Sequence, residues 1–313
     1  MRQIPERFAR KHYLSFGLAA ICAAVTLSGA ARATDDSGKS FFWKVTAADG
    51  SYVYLLGSVH VANKGMYPLP KAIEDAFAES TNLVVEADVD NPATQMTVQQ
   101  DMLTKGMYGA GDSLDKHLSE KSMKTFKDFA ATTGMPAEQL VQMKPWVLAM
   151  LITMTEMQKQ GFDPELGIDK HFLAGAKEKN KKVLELESVE FQINLLSGFN
   201  DDMQEKFLIS TLGDVANLKT DVDKMIDAWK RGDTAAMETF LFKQLKEKPE
   251  FQPVFDKVLF DRNVGMVEKI EGYLKAKDKN FVVMGAGHLV GDKGILKALQ
   301  TKNYKVEQVN TGK

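Results

Sequence analysis

Two stretches far apart in the chain end in the same way. "VYLLGSVH" (residues 53–60) and "FVVMGAGH" (residues 281–288) are apolar runs closing on Gly-x-x-His. The chain has five histidines, His12, His60, His117, His171 and His288. With glycine at its usual frequency, four histidines beyond the N-terminal segment would give about 0.3 such patterns by chance. Two imidazoles and one carboxylate form a three-ligand set that leaves a divalent metal open to water. Such an ion lowers the pKa of water and so supplies a nucleophile. Glu86 closes the short apolar run "TNLVVEAD" and is placed to be the third ligand or a general base. The competing reading is that each glycine marks a tight strand exit and each histidine is a satisfied surface residue.

The other polar groups carry less. His117, in "SLDKHLSE", reads as a structural or solvated residue near a polar helix start. His171, in "GIDKHFLAGA", lies near another helix start, where Asp169 reads first as an N-cap. Beyond residue 33 the chain has 33 lysines but only two arginines, Arg231 and Arg262. Arg231 falls in an expected loop, "WKRGDT". Arg262 precedes the second Gly-x-x-His, near the start of a helix marked by Met266, Ile270, Tyr273 and Leu274. It is expected either in a surface ion pair or as a carboxylate clamp or oxyanion partner.

The elements that must position these residues are legible as periodicity. "FFWKVTA" and "SYVYLLGS" flank "ADG" and predict a β-hairpin over residues 41–58. A helix over "PLPKAIEDAFAES" and the strand "TNLVVEAD" complete a strand–helix–strand unit. "KNFVVMGAGH", "GDKGILKALQTK" and "NYKVEQV" repeat that grammar. Aligning the two units puts Gly57 with Gly285, His60 with His288 and Glu86 with Glu307, consistent with an internal duplication or with convergence of a common unit. Ligands of such folds gather beyond the carboxyl ends of parallel strands, and the glycines would let the backbone turn sharply there. Residues from about 92 to 278 read as a mostly helical insertion, with one strand, "KKVLELES", ending on Glu187. The expected fold class is α/β (α+β): a small mixed sheet built from two related β-α-β units with a large helical insertion.

Residues 1–33 read as a secretory signal peptide. Arg2, Arg7, Arg10 and Lys11 precede an apolar stretch that ends in "ARA" before Thr34. An uncleaved anchor is the alternative, since the apolar run is nearly of spanning length. Cys22 is the chain's one cysteine, and Ile21 before it does not fit a lipoprotein site. The expected mature protein, residues 34–313, is one domain with no disulfide and no stable membrane insertion, exported to the periplasm or secreted. The leader holds Arg2, Arg7, Arg10, Lys11, Arg32 and Glu6; without them the 40 basic and 42 acidic residues leave a net charge of −6. That balance argues against a nucleic-acid partner. Nothing in the sequence speaks to oligomeric state.

Together, "YLLGSVHVANKGMYPLPKAIEDAFAESTNLVVEAD", "GIDKHFLAGAKEKNKKVLELESVEFQ" and "DRNVGMVEKIEGYLKAKDKNFVVMGAGHLVGDKGILKALQTKNYKV" resemble the TraB/PrgY/GumN family. That family includes the Tiki metalloproteases and is similar in fold to erythromycin esterase and haem-binding ChaN-like proteins. The resemblance implies a two-histidine metal site for Mn²⁺ or Co²⁺, with Zn²⁺ as a further candidate. By position, His60, Glu86 and His288 match its motif residues. Arg262 and Asn263 match its "RN" pair, and Glu187 its "LE" ahead of Gln192.

The resulting expectation is an exported metal-dependent hydrolase, a peptidase acting on a peptide or protein. His60, Glu86 and His288 hold the ion, and Glu187 is a base or further ligand. Arg262, with Asn263, positions substrate or stabilises an oxyanion. The first alternative is a non-catalytic protein that sequesters a peptide or small ligand in the same cleft, like a pheromone inhibitor. A haem or metal carrier is the second, by fold analogy alone.

Overall fold

The computed structural model describes residues 38–215 and 218–312. The expected signal peptide, with Cys22, lies outside the described residues.

The hairpin forms as its composition requires. Strands β1 (Lys39–Thr46) and β2 (Tyr52–Ser58) pair antiparallel, with Val45 opposite Val53. The connection closes through Gly50 N–H to the Ala47 carbonyl at 3.0 Å, and Gly50 supplies the left-handed residue at φ +87°. Four further strands complete one sheet: β3 (Asn82–Val85), β4 (Lys182–Glu185), β5 (Asn280–Gly285) and β6 (Lys305–Asn310). The order is β4-β3-β5-β2-β1-β6. Pairing is parallel from β4 to β2 and antiparallel at both edges of β1. The sheet is therefore mixed, as expected.

Strands β3 and β5 are buried throughout, as continuous apolar runs in the middle of a parallel sheet must be. At their starts Asn82 faces Asn280 in register, and its side-chain Nδ2 donates to the side-chain Oδ1 of Asn280 at 2.9 Å. This buried polar pair resists a one-residue slip, which would turn both strands inside out. Helices Lys71–Glu79 and Ile168–Glu178 bring Phe77 and Phe172 onto Phe281, with ring centroids 4.8–5.5 Å apart. Strand β6 alternates exposed and half-buried residues, with Lys305 paired to Glu307, as a solvent-facing edge should.

The two strand–helix–strand units interleave. Strand β5 lies between β2 and β3, so each unit is completed by a strand of the other. The expected match of Glu86 with Glu307 fails, because Glu307 lies within β6, opposite Lys44 of β1. Along β2 and β5 the register sets Ser58 opposite Gly285, one residue away from the Gly57–Gly285 match.

The intervening segment is helical apart from β4, which joins the sheet as its edge. Helix Pro145–Lys159 buries Trp146, Leu148, Ala149, Met150, Ile152 and Met157. Helices Leu218–Arg231 and Thr234–Glu247 form a pair held to the sheet by Trp229, whose indole N–H donates to the Gly57 carbonyl at 2.5 Å. Arg231 ends the first of them and pairs with Asp227 one turn earlier, so it is helical rather than in a loop. Among the described residues no helix is long and apolar enough to cross a membrane.

Candidate functional site

His60 follows β2 on a loop clamped from two sides. Ala62 and Asp163 exchange backbone hydrogen bonds at 3.2 and 2.8 Å, and Ile168 N–H donates to Val59 O at 3.1 Å. Gly167 is required beside it, since a Cβ there would meet the His60 carbonyl at 2.4 Å. The imidazole Nδ1–H donates to Asp169 Oδ2 at 2.7 Å, and Ser58 Oγ donates to the same oxygen at 2.6 Å. Asp169 therefore orients His60 from the first turn of helix Ile168–Glu178; it is not the N-cap, which is Gly167.

His288 follows β5 in the short helical turn Ala286–Leu289 and is buried. Its Nδ1–H donates to Asn263 Oδ1 at 2.6 Å, while Asn263 Nδ2 donates to the Lys293 carbonyl at 2.8 Å. Nδ1 of each histidine is thus tied off, and Nε2 is the atom each directs into the site. Ligating imidazoles are characteristically held in this way by an outer carboxylate or amide.

Both Nε2 atoms face Glu86 Oε1, His60 at 4.0 Å and His288 at 3.8 Å. Glu86 stands just past β3, and the β3–β4 ladder continues through it, with Glu187 N–H donating to Glu86 O at 2.8 Å. Glu86 Oε1 accepts from Gly285 N–H at 2.5 Å and Oε2 from Arg262 Nη2 at 2.8 Å. A Cβ on Gly285 would lie 3.0 Å from both Glu86 Oε1 and His60 Nε2, and 3.6 Å from His288 Cδ2. The site's glycines thus serve close approach. Neither Gly57 nor Gly285 has the positive φ a sharp turn would need, and a Cβ on Gly57 would strike Phe41 at 2.4 Å.

Charges in the site follow from these neighbours. Burial works against a charged His60, but Asp169 and then Glu86 outweigh it and push the imidazole up to about 9. Burial, reinforced by Arg262 and His60 against the pull of Glu86, holds His288 down to about 3. Burial alone would raise Glu86, yet His288, Arg262, His60 and the Gly285 N–H bring it down to about 2. The pocket therefore holds an ionised carboxylate, a neutral imidazole at His288, and an imidazole at His60 whose carboxylate neighbours favour its protonated form at neutral pH.

These residues fit a divalent metal in donor type and orientation: two Nε2 atoms and one carboxylate oxygen around the space above Gly285, with the His60 Nε2 proton to be displaced on binding. Bonds near 2 Å imply donor–donor edges of about 3.0–3.4 Å, so the two His–Glu86 edges, at 4.0 and 3.8 Å, stand open by about 0.4–1.0 Å. Accordingly, among the described residues no three His, Cys, Asp or Glu side chains are already gathered into a ready-made metal group.

The remaining expected residues stand behind the three. Glu187 accepts from Arg262 Nε at 3.0–3.1 Å and from Nη2 at 2.6 Å, and Gln192 Nε2 donates to it at 3.2 Å. Arg262 also donates from Nη1 to the Val258 carbonyl at 2.8 Å. Its side chain is 4% exposed, so the guanidinium braces the two glutamates and keeps little for a substrate. Nor is it at a free helix start. Helix Asp261–Ala276 continues directly from a π-helical turn, Asp256–Phe260. Asn263 likewise serves His288. His171 bonds Glu74 at 2.7 Å, and His117 bonds Asp112 and Asp201 at 3.0–3.1 Å; neither is brought to Glu86. Asp169 is the contributor the sequence reading assigned elsewhere, because an aspartate in a first helical turn is ordinarily satisfied by that turn.

The site opens into a small cleft of about 60 Å³, walled on one side by Met157, Met225, Leu241, Phe255, Val258 and Leu259.

Residues 41–308 match the model of the TraB/PrgY/gumN family, and the chain belongs to that family. It is 25% identical to the uncharacterized protein YbaP of Escherichia coli (strain K12) over 263 residues, covering 82% of this chain and 91% of that protein. It is 24% identical to the metalloprotease TIKI1 of Homo sapiens over 328 residues, covering 88% of this chain and 63% of the relative. Identity to the metalloprotease TIKI homolog of Nematostella vectensis is 22% over 328 residues, covering 86% of this chain and 67% of the relative. No solved structure matches the chain.

Proposed function

We propose that this TraB/PrgY/gumN-family chain is a metal-dependent hydrolase of peptides that acts outside the cytoplasm. One observation carries the reading. His60 and His288, from the ends of adjacent parallel strands, direct their Nε2 atoms at one oxygen of Glu86, with both Nδ1 atoms tied off. The distant likeness to proteins named metalloproteases supports it, and the leader-like residues 1–33 support export.

His60, Glu86 and His288 would hold the ion, and their nitrogen and oxygen donors suit Mn²⁺, Co²⁺ or Zn²⁺. When bound, such an ion supplies Lewis acidity and an activated water. Asp169 and Asn263 keep the two imidazoles in the ligating tautomer. Arg262 and the Gly285 N–H keep Glu86 ionised and fixed, and Glu187 acts through Arg262. The apolar cleft wall lowers the local dielectric and strengthens each of these interactions.

The test is to purify the protein, assay bound metal, and incubate it with a mixed peptide library with and without chelator. The reading expects peptide cleavage that is lost with chelator and in His288→Ala. Peptide retained but never cleaved, under every divalent ion tried, would replace hydrolysis with sequestration.

A further inference from the structure

The cleft beside the three donors has a wall of one chemical kind drawn from four separate segments. Met157 comes from helix Pro145–Lys159, Met225 from Leu218–Arg231 and Leu241 from Thr234–Glu247. Phe255, Val258 and Leu259 come from the short helix and π-helical turn that lead into Arg262. A π turn adds one residue to the helical circuit and so rotates everything after it by about 100°. Here Val258, Leu259 and Arg262 all line the same cleft.

The wall is fixed in place. Trp229, one turn after Met225, is tied to the Gly57 carbonyl near the end of β2, which seats this helix over the strand ends where the histidines emerge. Arg262 is the one arginine or lysine among the described lining residues, and Glu86, Glu187 and Val258 engage it. The wall opposite the donors is apolar and includes two methionines, whose unbranched side chain adapts to differently shaped partners. Ligand sites of this composition bind by burying an apolar group, while a few polar atoms fix its orientation.

From this we infer that the cleft is a side-chain pocket, and that the chain selects peptides carrying a bulky apolar residue, leucine, methionine or phenylalanine in size, next to the bond that is cut. The inference rests on the hydrolase reading for the cut. The binding preference stands on the wall alone.

The test uses the full chain with Mn²⁺ and a randomised peptide mixture, with cut positions read by mass spectrometry. Cuts should concentrate where leucine, methionine or phenylalanine occupies one fixed side. Met225→Glu places a carboxylate at the cleft edge on a half-buried position outside the metal-holding set. It should lower kcat/KM on those peptides by about tenfold or more, leave bound Mn²⁺ unchanged, and raise the share of cuts beside lysine. That gain distinguishes an altered pocket from a damaged protein. Cuts without apolar enrichment, or an unchanged cut pattern in Met225→Glu, would overturn the pocket and leave the hydrolase standing. If no peptide is cut, the hydrolase falls separately and binding decides the pocket. Retention of fluorescent leucine-bearing peptides about tenfold better than their aspartate counterparts would support it, and equal retention would overturn it.

Discussion

Asn263 and His288 are joined by a hydrogen bond whose direction is settled by a third group. Because the Asn263 amide N–H donates to the Lys293 carbonyl, its oxygen faces His288 Nδ1 and must accept. The imidazole is left with its lone pair on Nε2, pointing at Glu86. Replacing Asn263 by alanine removes the acceptor while leaving all three proposed ligands in place. Mn²⁺ affinity, measured by titration calorimetry, should fall by about 10–100-fold, and Asn263→Asp, which can still accept, should restore much of it.

Gly285→Ala tests the space between the donors directly. Its methyl would lie 3.0 Å from both Glu86 Oε1 and His60 Nε2, tighter than ordinary contact. The expected outcome is metal binding weakened on the order of tenfold or more, with a far-ultraviolet dichroism spectrum like that of the parent. Unaltered affinity would show that the ion sits elsewhere.

Arg262 joins Glu86 to Glu187 with all three side chains largely out of water. Removing one partner of such a buried set leaves uncompensated charge. Arg262→Ala should therefore lower unfolding stability by about 3–5 kcal/mol, read from denaturant titration. Arg262→Met combined with Glu187→Gln should be less destabilised than the sum of the two single changes, because the second removes a charge the first has stranded.

His117 gives a pH dependence remote from the site. Hydrogen bonds to Asp201 and Asp112 raise its pKa above the ordinary imidazole value of about 6.5. A raised folded pKa contributes stability that is fully present below the unfolded value and lost as pH climbs through the folded one. The Tm of the parent should therefore exceed that of His117→Gln at about pH 5.5, and the gap should narrow by about pH 8.5. A gap that widened with pH would contradict the pairing.

Much of this arrangement was legible in the sequence, and what was not has identifiable causes. His60, His288 and Glu86 stood out because apolar runs ending in Gly-x-x-His or Glu mark where buried parallel strands leave the sheet. The strand order was hidden, since β5 finds its place between β2 and β3 through contacts some two hundred residues apart. The Glu307 match failed for that reason: similar local grammar does not fix neighbours across a sheet. Asp169 was hidden by ambiguity, because its local role in a helical turn and its distant role beneath His60 require the same residue. Arg262 stands out by rarity, but its saturation by two glutamates depends on the ladder that sets Glu187 beside Glu86.

The central position of β5 has a consequence for biosynthesis. Until residues 280–285 are made, β2 and β3 have no shared neighbour, and their inner edges stand open toward one another. A chain halted anywhere before that point lacks His288 as well as the strand that closes the sheet. Hydrolytic capacity, on the proposed function, is thus withheld from every nascent or truncated form that ends before His288.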